Sequence, residues 1–150
     1  MKIIVCVDNQ NGMMFNHRRQ SQDRVLRKRI MELTGGKKLW MNAYSQKQFL
    51  QVNGNMPKEQ EQSGQLGQSG QIQADEAFLE KAGPGEPCFV EDRSVAPFAG
   101  RVERVVLYRW DRAYPADLYW DLSLEGWTLA RREEFPGFSH EIITKEVYIP

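Results

Sequence analysis

Residues 2–12 read KIIVCVDNQNG, and the fold turns on how this stretch is read. Ile3, Ile4, Val5, Cys6 and Val7 form an unbroken apolar run, closed by the turn formers Asp8, Asn9, Asn11 and Gly12. A half-exposed strand would alternate apolar with polar residues. A continuous β-branched run implies instead a strand covered on both faces, as in sheets that carry helices on either side. The chain downstream should then supply helices, and its patterning does. From Asp23 to Leu33, Val25, Leu26, Ile30 and Leu33 form an apolar stripe, with Arg24, Arg27 and Lys28 elsewhere on the surface. Ser21 or Asp23 can cap the start of that helix, and Thr34-Gly35-Gly36 stops it.

Outward from this unit, KKLWMNA (37–43) reads as a second short strand and YSQKQFLQV (44–52) as a short helix with Ser45 at its N-cap. The segment at about 53–73 is rich in Gln, Gly and Ser, and such a composition cannot bury enough apolar surface to offset its ordering entropy. It reads as a surface loop. ADEAFLEKAG returns to helix, with Ala74, Ala77, Phe78 and Ala82 in one stripe. CFVED is a buried strand, RSVAPFAG a connector or one helical turn interrupted by Pro97, and RVERVVLYRW an interior strand with apolar residues on both faces. WTLARREEF and HEIITKEVYIP close the chain with alternating patterns that suit an antiparallel hairpin. The expected architecture is one α/β domain over 1–150, with a mixed, mostly parallel sheet, flanking helices and a C-terminal antiparallel hairpin.

Composition narrows the function classes. Twenty basic residues balance twenty acidic ones, so no global field draws the chain to nucleic acid or to an anionic membrane. No apolar run approaches the roughly 20 residues that span a bilayer. Two histidines, His17 and His140, and no Cys-x-x-Cys pair leave no ligand set for a metal centre. Cys6 and Cys88 both sit in apolar runs and read as buried thiols of a cytoplasmic protein.

In its order of elements the chain resembles the dihydrofolate reductase fold. IIVCVDNQNGMMFN is similar to that family's first strand and following loop, LWMNAYSQKQF to its strand-to-helix turn written Met-Gly-Arg/Lys-x-Thr, and GWTLARREEF…HEIITKEVYI to its closing hairpin. The resemblance implies that Asp23, opening the first helix, falls near the family's acidic catalytic residue; a plain helix cap is the other reading of the same position. It also implies an NADPH site at two helix N-termini, where glycine lets phosphates approach backbone amides. At the first turn Asn42 and Ala43 replace the glycine and the basic residue, and Ser45 stands in for the threonine. At the second, Glu91-Asp92-Arg93 replaces a Gly-Gly pair, and two carboxylates there repel a pyrophosphate. The expectation is therefore the reductase fold without tight NADPH binding and with no other cofactor. The opening segment is also similar to short bacterial proteins labelled ribonuclease Z, but two histidines 123 residues apart do not make that nuclease's His-x-His-x-Asp-His zinc cluster.

The remaining candidate chemistry lies in FNHRRQSQD (15–23). Arg18 and Arg19 carry planar donor forks suited to phosphate or carboxylate, Asn16 and Ser21 add neutral donors, and the next helix N-terminus favours an anion. The expected ligand is small and anionic or nucleotide-like. Both arginines being solvated, or paired with local acids, is the other reading. The aromatic-rich stretch around Tyr108, Trp110, Tyr114, Tyr119, Trp120 and Trp127 leaves a protein-interaction module open as a second function.

Overall fold

The computed structural model describes residues 1–51 and 71–150. The covered strand is β1 (Lys2–Val7), which lies inside a seven-stranded sheet. Its neighbours are β6 (Pro87–Val90) and β7 (Arg104–Arg109), both parallel to it. Beyond β6 come β4 (Leu39–Met41) and β5 (Ile72–Ala74), also parallel. On the other side β10 (Ile143–Ile149) runs antiparallel to β7, and β9 (Thr128–Phe135) antiparallel to β10. The order is β5-β4-β6-β1-β7-β10-β9, the mixed, mostly parallel sheet with a closing hairpin that the patterning implied.

Strand pleat sorts the core into two layers. Ile3, Val5 and Val7 of β1 join Cys88 and Val90 of β6 and Val105 and Leu107 of β7 on one face. The short helix α3 (Phe78–Lys81) covers that side with Phe78 and Leu79. Ile4, Phe89, Val106 and Tyr108 line the other face, under Leu26 and Ile30 of helix α1 (Arg24–Leu33) and Phe49 of helix α2 (Ala43–Gln51). Residues one apart on a strand thus feed opposite layers, which is why these runs show no polar alternation. Cys6 and Cys88 are free thiols, and burial pushes the Cys88 thiol up to about 12.

Several local readings change. In α1 Met31 is buried and Leu33 is exposed, so the stripe runs Leu26-Ile30-Met31. Arg27 is not on the open surface but half-buried on the same helical face as Ile30 and Met31. Ser45 does not cap α2; the helix begins two residues earlier, and Asn42 Oδ1 accepts the Ser45 N–H at 2.8 Å. The helix read across Ala74–Ala82 contracts to α3 because Ala74 belongs to β5. The loop expected at about 53–73 lies outside the described residues up to 70, and Ile72 and Gln73 at its end are in β5.

One feature escaped the patterning altogether. A three-stranded sheet, β3-β2-β8, is built from β2 (Gly12–Phe15), β3 (Arg18–Arg19) and β8 (Leu118–Tyr119). Asn16 and His17 join β2 to β3 with φ of 52° and 61°, the left-handed pair that closes a two-residue hairpin. No helix among the described residues is long and apolar enough to cross a membrane.

Candidate functional site

Chain order reverses across β1: the chain reaches β4, β5 and β6 on one side, then crosses to β7 on the other. In such sheets the crevice outside the carboxyl ends of the strands at this switch point is where ligands bind. Here it is bordered by Asp8 after β1, Asn42 after β4, Glu91 and Asp92 after β6, and Trp110 after β7.

The β2–β3 hairpin delivers side chains to this crevice, but not as the sequence implied. Successive strand residues point to opposite sides, so Arg18 is exposed while Arg19 turns inward. Arg19 grips Glu91 with two donors, Nε to Oε2 at 2.9 Å and Nη2 to Oε1 at 3.2 Å. Its guanidinium also stacks 4.3 Å over the Tyr44 ring. Glu91 is 9% exposed and accepts two more hydrogen bonds, from Ser45 Oγ at 2.8 Å and Gln48 Nε2 at 3.0 Å. Side chains therefore hold the chain's own carboxylate beside the start of α2. Two further donors there are engaged: Ala43 N–H donates to Glu76 Oε2 at 3.0 Å, and Asn42 Nδ2 to Asp92 Oδ2 at 2.7 Å. Asp92 is held in addition by Arg93 Nε at 2.8 Å.

The four residues expected to hold a ligand are thus dispersed. Arg18 faces solvent, Arg19 pairs with Glu91, and the Asn16 N–H donates to Asp117 Oδ2 at 3.0 Å. Ser21 Oγ lies 3.0 Å from His140 Nε2.

His140 leads back to Asp23, the acid the resemblance singled out. Asp23 caps α1, taking the Val25 N–H at 2.9 Å. It also accepts from the N–H groups of Phe138 at 2.9 Å and Ser139 at 2.8 Å, and from His140 Nδ1 at 3.0 Å. Burial alone would raise this carboxyl, but the Phe138 amide, His140 and the Ser139 amide outweigh it and hold Asp23 well below the usual carboxylate range. An ionised acid only accepts, so Nδ1 carries its proton and, in the neutral ring, Nε2 accepts from Ser21 or from Tyr114, whose hydroxyl lies 3.1 Å away. The His140 ring stacks on Trp110 with centroids 4.6 Å apart. Gly137 closes the loop tightly, since a Cβ there would meet Asp23 Oδ2 at 2.7 Å. Asp23 is a saturated anchor that pins the β9–β10 loop to the head of α1.

Asp8 is likewise saturated by the N–H groups of Gln10 and Gly12, both at 2.8 Å, and by Gln20 Nε2 at 3.0 Å. Arg27 differs. Four residues after Asp23, it projects from the inward face of α1 and gives Nη1 to Gln22 Oε1 at 3.0 Å. Among the described residues its buried Nε–H has no acceptor, and no carboxylate lies within 4.0 Å of it. Burial lowers its pKa; Asp23 opposes that, and the charges of Arg19 and Arg24 add to it. A partly buried guanidinium with no carboxylate partner among the described residues is what sequence reading missed. The signal was present: spacing of four from Asp23 and of three and four from Ile30 and Met31 puts Arg27 on the core face. His140 had no such signal, being 117 residues from Asp23.

No known family profile matches the chain, and no curated protein matches it. Among solved structures it is similar to dihydrofolate reductase from Enterococcus faecalis, complexed with NADP(H) and RAB-propyl, with a TM-score of 0.60 at 10% identity over 99% of this chain and 94% of that one. The likeness is one of fold: the chain has a dihydrofolate reductase-like fold.

Proposed function

We propose that this dihydrofolate reductase-like domain binds a small anionic, nucleotide-like ligand in the switch-point crevice and is not an NADPH reductase. The observation that carries the reading is Arg27, a half-buried guanidinium that has, among the described residues, neither a carboxylate partner nor an acceptor for its Nε–H. Leaving such a group unpaired costs free energy that an incoming anion relieves. Against NADPH speak the turns the resemblance assigns to its phosphates, where the Ala43 and Ser45 amides are bonded to Glu76 and Asn42 and the Glu91 carboxylate is held by Ser45 Oγ. Arg18 and Ser21 remain at the rim of the same hairpin–helix connection and can extend the site. NADP(H) is named for the Enterococcus enzyme.

A thermal-shift panel of inorganic phosphate, pyrophosphate, AMP, a folate and NADPH tests this. A ligand at 100 times its Kd adds about 2.7 kcal/mol of stability. The expected result is stabilisation by one or more of the phosphorylated compounds other than NADPH, weakened at least about tenfold by Arg27→Met. Stabilisation by NADPH at micromolar concentration would instead support a reductase with unusual phosphate contacts. Stabilisation by no compound would leave the interaction module, whose support is the exposed Phe15 and Tyr119 on neighbouring strands of the small sheet.

A further inference from the structure

At the opposite, amino-terminal ends of the strands, a cavity of about 320 Å³ opens where α1 stops and the sheet face is left uncovered. Its lining contains five cations, Lys2, Lys37, Arg104, Arg131 and Lys145, and no acid. Its floor is apolar, formed by Ile4, Val106 and Val147 with the exposed Leu33 at its edge. Glu133, outside the lining, reaches Arg131 at 3.4 Å and Lys145 at 3.9 Å and is itself 3.7 Å from Arg29. No carboxylate among the described residues comes within 4.0 Å of Lys2, Lys37 or Arg104. Contact with the Lys37 amine, partial burial and the Arg104 charge lower the Lys2 pKa and outweigh the opposing charge of Glu103, so these cations crowd one another. A chain of zero net charge has concentrated an excess of positive charge over an apolar floor, in a volume within the range of about 300–1,000 Å³ typical of small-molecule pockets.

We infer that this groove is a second ligand site, separate from the crevice, for a phosphate monoester carrying a compact apolar body. The apolar part lies on Ile4, Val106 and Val147, and the dianionic head meets Lys2, Lys37 and Arg104. The probe is 1-naphthyl phosphate, followed by its fluorescence, with 1-naphthol and inorganic phosphate as the two half-ligands. Saturable binding of 1-naphthyl phosphate is expected, at least about tenfold tighter than either half-ligand. Arg104→Glu and Lys37→Glu, both at exposed positions, should each weaken it about tenfold or more, while Arg27→Met leaves it within about twofold. Absent saturation, equal affinity for naphthol or for phosphate, or unchanged affinity in both charge reversals would overturn the site. Loss of binding in Arg27→Met would move the ligand to the crevice and overturn it equally.

Discussion

Asp23 shows how far a single residue's chemistry depends on partners distant in sequence. Its position at a helix start is legible, and so is its capping role. The contacts with Phe138, Ser139 and His140 are not, because nothing local announces a loop 115 to 117 residues away. Asp23→Ala removes the cap and strands three donors, and should destabilise the protein by about 3 kcal/mol in urea unfolding. The pH dependence follows from the depressed folded-state pKa. Its stabilisation is fully present above the unfolded-state value of 3.8 and is lost as pH falls through the lower folded value. Stability of the parent should therefore fall more steeply below about pH 4 than that of Asp23→Asn; parallel curves would show that another group governs the acid limb. Glu91 teaches the same lesson with the opposite reading. In sequence it is a carboxylate misplaced in a phosphate turn, whereas in the fold it is the anion that Arg19, Ser45 and Gln48 hold. Glu91→Gln leaves the Arg19 charge half-buried and should cost about 3 kcal/mol, with the paired change Arg19→Met, Glu91→Leu costing clearly less than the two single changes summed.

At the scale of elements, what could be read was whatever carried its own period. β1, β7 and β6 have unbroken apolar runs because both faces are buried, and α1 has its stripe. Two kinds of element carried no such mark. β2, β3 and β8 are four, two and two residues long, too short for a period, and their sheet depends on a left-handed turn at Asn16 and His17 with no glycine to signal it. β5 lies in a polar sequence, and only Ile72 of its three residues is buried. Its pairing with β4, Leu39 to Ile72 and Met41 to Ala74, is a tertiary choice that composition does not encode. The hairpin also decided the fate of the expected anion site: placing Arg18 and Arg19 on adjacent strand positions sends them to opposite sides. Ile72→Asp should destabilise by about 3 kcal/mol or more, by burying a charge at the sheet edge. A change under about 0.5 kcal/mol, the size usual for a surface position, would place Ile72 outside the core.

For the molecule as a whole, zero net charge conceals a different local balance at each end of the sheet. Acids gather at the carboxyl ends of the strands, where Asp8, Asp23, Glu91 and Asp92 are each bound by the chain's own donors. Cations gather at the amino ends around Lys2, Lys37 and Arg104. The layered α/β fold was legible because it rests on hydrophobic period, which is local. The crevice was not, because its character is set by pairs such as Arg19–Glu91 that only the folded sheet brings together. Against that neutralised background Arg27 stands out, and the central claim rests on it. The most direct measurement follows the Arg27 Nε–H signal in a proton–nitrogen NMR spectrum, identified by its loss in Arg27→Met, during titration with AMP, pyrophosphate and NADPH. The signal should move and saturate with a nucleotide or phosphate and stay in place with NADPH. An Arg27 signal unmoved by every anion, or one that saturates with micromolar NADPH, would contradict the account.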